Sequence, residues 1–237
     1  MYFFLSGEGV TDLGAGRSNT GVCEDSDFIV GPMTVVVEKV VEKSQNYSML
    51  GCCVYVTEQC IAECAKGLKI SGKAMRLPGV RRPKETRYFF NNARALSKLA
   101  KEKERELSDK VVAVLFRDAD GAASAGRGDW RDKRQSMLDG FDEEEFSRGV
   151  PMIPKPKSEA WLICAMKSNP YQGCEKLEER SGNDHSPKSL KKELEAILKA
   201  RATRKLLCEK VRNGAFEIGK IRMPSFTAFR KRLESVI

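Results

Sequence analysis

Two short apolar segments, each ending abruptly in carboxylates and glycine, constrain this chain more than any other feature. The first runs Met1-Tyr-Phe-Phe-Leu-Ser-Gly-Glu8-Gly-Val-Thr-Asp12. The second runs Val111-Val-Ala-Val-Leu-Phe-Arg117-Asp118-Ala-Asp120-Gly121. Short, continuous and partly β-branched apolar runs suit strands buried on both faces of a sheet. Laid side by side and parallel, they bring Glu8, Asp12, Asp118 and Asp120 to one sheet edge. Crowded carboxylates are costly unless a cation offsets their charge, and oxygen donors of this kind suit Mg2+ or Mn2+. The pairing points to metal-dependent phosphate chemistry.

Between and after these strands the chain alternates. A glycine- and acid-rich loop covers Glu8–Asp27, and Gly31-Pro32-Met33 opens a helix to about Lys43, with Pro in its first turn. Its valines give an apolar face, a composition that also suits a strand. Residues 45–83, cysteine-rich and then glycine- and arginine-rich, read as an insertion or mobile loop. Lys84–Leu107 has the 3–4-residue apolar spacing of a helix. A second helix runs from Asp129, its N-cap, to about Leu138; Gly149–Ile153 is a short strand. Glu159–Met166 reads as a helix capped by Ser158, and Ser186–Ala200 and Ser225–Val236 as later helices. This order predicts an α/β domain over 1–165, with a mainly parallel sheet flanked by helices. A helical C-terminal extension then occupies 166–237.

At 237 residues and 41 % hydrophobic composition the chain has enough apolar material for a normal core. Its formal charge of +9 and pI near 9.1 point to a polyanionic partner. The cations are unevenly spread, dense over 66–110 and again from Lys188 to Arg232, whereas Asp139–Glu145 is acidic. A basic surface around an acidic pocket is what an enzyme acting on DNA or RNA needs. No apolar run approaches the roughly 18–20 residues that cross a bilayer, and no secretory leader is evident, so a cytoplasmic protein with reduced thiols and no membrane partner is expected.

A third element joins the acidic strands. Pro154-Lys155-Pro156-Lys157-Ser158-Glu159-Ala160-Trp161 follows a short strand and opens a helix, the position where reactive groups collect in open α/β sheets. Glu159 is a fifth candidate metal ligand, and Lys155, Lys157 and Arg117 are placed to meet a phosphate. Glu8-Gly9-x-x-Asp12 after one apolar strand and Asp118-x-Asp120 after another resemble the Toprim domain of topoisomerases, bacterial primases and several nucleases. The Pro-Lys-Pro-Lys-Ser-Glu-Ala-Trp segment resembles, more narrowly, small Toprim-like proteins related to OLD-family nucleases, found beside ABC-type ATPases in anti-phage systems. The resemblance covers roughly residues 1–165.

It implies a Mg2+-dependent nuclease, Glu8 as metal ligand or general base, Asp118 and Asp120 as ligands, and Glu159 as an accessory ligand. Lys157 or Lys155 would stabilise the transition state, and an ABC-type ATPase subunit would be the partner. A non-catalytic Toprim-like binding or scaffold subunit and an RNA-maturation nuclease are the alternatives. The spacing departs from a minimal Toprim domain, because residues 45–83 intervene.

Several residues have plainer readings. Glu-Gly-x-x-Asp and Asp-x-Asp are also common turn and cap sequences. Asp25 and Asp27 read as part of a solvated loop. Cys52, Cys53, Cys60 and Cys64 lack the paired spacing of a zinc site and read as buried small hydrophobes. His185, the single histidine, is expected in solvent. Trp161, Phe226, Phe229 and Leu233 suit a core, while Trp130 is open enough to stack on a base. The cations over 94–110 alternate with Glu102, Glu104 and Glu106, a partly self-paired helix face. Arg81 and Arg82 in a Pro/Gly loop, with Arg127, are the candidate phosphate contacts.

Overall fold

A computed structural model describes the chain except for residues 18–20, 25–26, 69–83 and 120–128 and the side chains of residues 84, 85 and 215. In order, the elements are β1 (Tyr2–Gly7), β2 (Gly14–Gly16), β3 (Val22–Glu24), β4 (Phe28–Val30), α1 (Pro32–Gln45), β5 (Cys53–Val56), α2 (Glu58–Lys66) and α3 (Lys84–Leu107). Then come β6 (Val111–Phe116), α4 (Trp130–Glu143), β7 (Gly149–Met152), α5 (Ser158–Met166), α6 (Leu190–Leu198), α7 (Arg204–Lys210) and α8 (Pro224–Glu234).

The two acid-tipped strands are neighbours. A five-stranded sheet has the order β3-β5-β1-β6-β7, with β1 parallel to both β5 and β6, β7 parallel to β6, and β3 antiparallel on β5. Alternation along the strands supplies two cores. Phe3, Leu5, Val112, Val114 and Phe116 join the α1, α5 and α8 side, packing with Val36, Trp161 and Phe226. Phe4, Val111, Ala113 and Leu115 meet Ala93, Leu96, Met137 and Phe141 from α3 and α4. Each large aliphatic side chain so buried contributes about 1.5–3 kcal/mol, which is why β6 is apolar throughout and β1 nearly so, its buried Ser6 hydroxyl donating to Val56 O at 2.8 Å.

Local chemistry sets most boundaries. Pro32 occupies the first turn of α1, where a missing N–H costs nothing, and Asn46 closes the helix in the left-handed region. Asp129 and Asp132 form a reciprocal capping box on α4. That helix runs beyond Leu138 to Glu143, because Phe141 is wholly buried against the sheet. Serine caps α6 later than the sequence predicts, at Ser189 rather than near Ser186.

Other expectations need larger correction. Residues 45–83 are not wholly an insertion, since β5 lies inside the sheet beside β1 and α2 follows it. Nor is 8–27 only a loop: β2 pairs antiparallel with β4, and β3 edges the main sheet. In both places the strands are short, and pairing partners distant in sequence stabilise them. The thiols are not all reduced either, because Cys164 and Cys174 are joined as a disulfide with Cα atoms 5.3 Å apart. Cys53 is buried beside β1, and burial pushes its thiol well above the ordinary range, the environment of a small hydrophobe. His185 is exposed. Among the described residues no helix is long and apolar enough to cross a membrane.

Candidate active site

The register alone collects the site. Gly7 lies level with Phe116, Phe116 with Met152, and Ser6 with Val56, so four strands end at one edge. The chain passes from β1 to β5 on one side and returns to β6 on the other. A crevice therefore opens beyond the carboxyl ends of β1 and β6. Gly7 permits the close approach, since a Cβ there would sit 2.1 Å from the Phe116 carbonyl oxygen. Beyond β6 the pairing continues, with Arg117 N–H donating to Met152 O and Ala119 N–H to Pro154 O, each at 3.0 Å. This extension carries Asp118 toward the start of α5.

Ser158 ties the carboxylates together. Its backbone N–H donates to Asp118 Oδ1 at 3.0 Å, and its hydroxyl donates to Asp12 Oδ1 at 2.5 Å. Glu159 Oε2 is 3.5 Å from the same hydroxyl. On the other side the Asp118 N–H donates to Glu8 Oε1 at 3.0 Å. Asp12 is held from behind, its carbonyl accepting the Met33 N–H of α1 at 2.9 Å. Ser158 is not a helix cap, since Lys157 takes that place without a side-chain bond. The Ser-Glu pair at a helix start resembles a cap in sequence, so only the tertiary contact with Asp12 reveals its other role.

Burial dominates the electrostatics of the inner pair. It raises the Asp12 carboxyl above its ordinary 3.8, against the opposing hydrogen bonds of Ser158 and Thr11 and the charges of Lys157 and Lys191. Burial likewise raises Glu159 above 4.5; the Asp12 charge adds to it, while its own backbone N–H and Lys157 oppose it. A carboxyl raised on folding stabilises the protein fully below its unfolded value, and that contribution is lost as pH rises through the folded value. Glu159→Gln is therefore expected to match wild type in melts below pH 4.5 and to melt higher at neutral pH. A variant that melts lower than wild type at neutral pH would contradict a site dominated by burial.

The cations are not all where sequence places them. Arg117 reaches the site, but its Nη2 is 2.9 Å from Glu8 Oε2 and its Nη1 3.5 Å from Glu58 Oε1. Its guanidinium also stacks 4.1 Å from the centre of the Tyr88 ring. Arg117 thus orients Glu8. Lys157 acts on Asp12 and Glu159 and pairs with Asp184 at 3.1 Å. Lys155 bears instead on buried Glu178. Trp130 is no stacking platform: it is half-buried and its indole N–H donates to Ile153 O at 2.7 Å. Asp120, Arg81, Arg82, Arg127 and Asp25 lie outside the described residues.

The donors that meet here are carboxylate oxygens, the chemistry that suits a hard cation such as Mg2+ or Mn2+ rather than zinc. Glu8, Asp12, Asp118 and Glu159 are the described residues that would hold it. They are linked through other groups: Glu8 accepts the Asp118 backbone N–H, and the Ser158 hydroxyl lies against both Asp12 and Glu159. Among the described residues no group of three or more His, Cys, Asp or Glu side chains is placed to hold a metal ion. No family model, curated protein or solved structure matches this chain.

Proposed function

We propose that this protein is a metal-dependent nuclease with a Toprim-like core that cuts nucleic-acid phosphodiesters. The observation that carries this proposal is the convergence of Glu8, Asp12, Asp118 and Glu159 on one crevice, linked through Ser158 and the Asp118 N–H. Ser158 fixes Asp118 and Asp12, and Arg117 fixes Glu8. Lys157, between Asp12, Glu159 and Asp184, is the cation best placed to approach a phosphate at the crevice. Bound Mg2+ or Mn2+ would offset the carboxylate charge and polarise a phosphoryl oxygen. Through the resemblance of residues 154–161, an effector of an anti-phage system controlled by an ABC-type ATPase is the cellular role we assign.

The test is incubation of the purified chain with end-labelled single- and double-stranded DNA and RNA. Cleavage is expected with Mg2+ or Mn2+ and not with a chelator. Failure to cut any of the four substrates with either metal overturns the nuclease. Strong preference for structured RNA would favour an RNA-maturation enzyme. The Glu8–Arg117 ion pair and the lack of a three-ligand group among the described residues favour a second reading, a non-catalytic binding or scaffold subunit. Such a subunit would keep its partner interactions after Glu8 and Asp118 are neutralised.

A further inference from the structure

An open groove of about 1010 Å³ runs between the β2–β4 ribbon and the α6–α7 segment. Arg17, Lys191, Arg201, Arg204, Lys205 and Arg212 line it, against the carboxylates Glu195 and Glu209. Glu195 is already engaged, accepting the Ala202 N–H at 3.2 Å. None of the six cations is ion-paired with a described carboxylate, although twelve ion pairs occur elsewhere among the described residues. Six like charges on one concave surface repel one another, so the groove favours a bound polyanion.

Its position decides which polyanion. Val10 and Thr11 form the near wall, and they belong to the loop that joins Glu8 to Asp12. The Thr11 hydroxyl donates to Asp12 Oδ2 at 3.1 Å, and Lys191 in the groove acts on the same carboxylate. Arg204 anchors the wall by donating to Val10 O at 3.3 Å. The groove therefore leads into the acidic crevice. Its floor, Phe28, Ile29 and Val30, offers no exposed ring for a base, since Phe28 is only 7 % exposed. Cations along a track without stacking platforms suit a phosphate backbone, without sequence readout.

We propose that this groove binds the phosphodiester backbone of the nucleic acid and leads it to the acidic crevice, which rests on the nuclease assignment for that crevice. The sequence-based contacts, Arg81, Arg82 and Arg127, lie outside the described residues.

The test is fluorescence anisotropy with labelled single-stranded DNA, single-stranded RNA and duplexes of the same sequence, in chelator so that nothing is cut. Arg201→Gln, Lys205→Gln and Arg212→Gln are combined in one variant; Arg204, which holds Val10, is left. These three are exposed, so the variant is expected to melt as wild type, and Arg212→Gln alone serves if it does not. Loss of three phosphate contacts should lower the slope of log K against log salt by about 2 for single strands and about 3 for duplexes. Affinity should fall about tenfold or more at moderate salt. A control triple variant at Lys66, Lys176 and Lys231 removes the same charge elsewhere and should bind close to wild type. Equal weakening by both variants, unchanged binding by the groove variant, absence of wild-type binding at low salt, or preference for polyglutamate each overturns the groove. Because no cleavage is measured, loss of activity on neutralising Asp118 with wild-type binding bears on the nuclease alone.

Discussion

Asp118→Asn is expected to lower metal-dependent cleavage by about 10²–10³-fold while leaving the fold intact. The geometry makes this substitution unusually clean. An asparagine oxygen can still accept the Ser158 N–H, and the backbone N–H at residue 118 still donates to Glu8. Only the negative charge is removed from the centre of the crevice. Glu8→Gln is a harsher change, since it leaves the Arg117 guanidinium facing a neutral amide as well as Glu58. Single-turnover cleavage at saturating protein, with melts as a check on folding, separates chemistry from binding. An Asp118→Asn protein that cuts at close to the wild-type rate removes this crevice from the reaction.

Trp161→Ala is expected to be the most destabilising single substitution in the α5 side of the core. Trp161 is wholly buried, stacked at 5.7 Å on Phe229 and edge-on at 5.1 Å to Phe226. Its indole N–H donates to Ser225 Oγ at 2.8 Å, and that hydroxyl in turn donates to Glu178 at 2.6 Å. Truncation leaves a large cavity and removes the hydrogen bond that the Ser225 hydroxyl accepts. The expected loss is about 3–5 kcal/mol, or roughly 6–20 °C in melting temperature for a chain of this size. Trp161→Phe keeps the ring packing and should cost less. Chemical denaturation measures both; a loss under about 1 kcal/mol for the alanine variant would contradict the packing described here. Because Trp161 lies three residues beyond Ser158 on the same helix, this core also holds the crevice in place.

Much of the fold was legible in β1 and β6. Their apolar runs, broken only by Ser6 at the end of β1, leave no alternating polar face to expose, so a doubly covered sheet suits them, and the glycine and carboxylates that follow mark their ends. α3 and α4 were legible from local signals: apolar spacing in α3, and in α4 the N-cap Asp129. β5 was not, because Cys53-Val-Tyr-Val56 sits in a cysteine-rich stretch whose strand character depends on β1 beside it. β2 and β4 are only three residues each and exist through their pairing.

The site divides along the same line. Glu8, Asp12, Asp118 and Glu159 were readable as candidates because carboxylates next to glycine or at a helix start stand out against apolar surroundings. Ser158 was misread as a cap, and the hold of Arg117 on Glu8 had no sequence signal, because a side chain's partner is set by what the fold brings opposite it. The basic groove had no local signature at all. Its cations come from 17, 191, 201, 204, 205 and 212, and a cation in sequence does not declare whether it is paired.

By itself, then, the sequence determined that two buried strands end in acid and that the chain carries excess positive charge. Tertiary structure decided that those strands are adjacent, parallel and level, that Ser158 bridges their carboxylates, and that cations with no ion-pair partner among the described residues gather in one groove beside them. Strand formation and charge are properties of short stretches, governed by local hydrophobicity and composition. Register, pairing and concavity arise only when segments more than a hundred residues apart bury their apolar faces together.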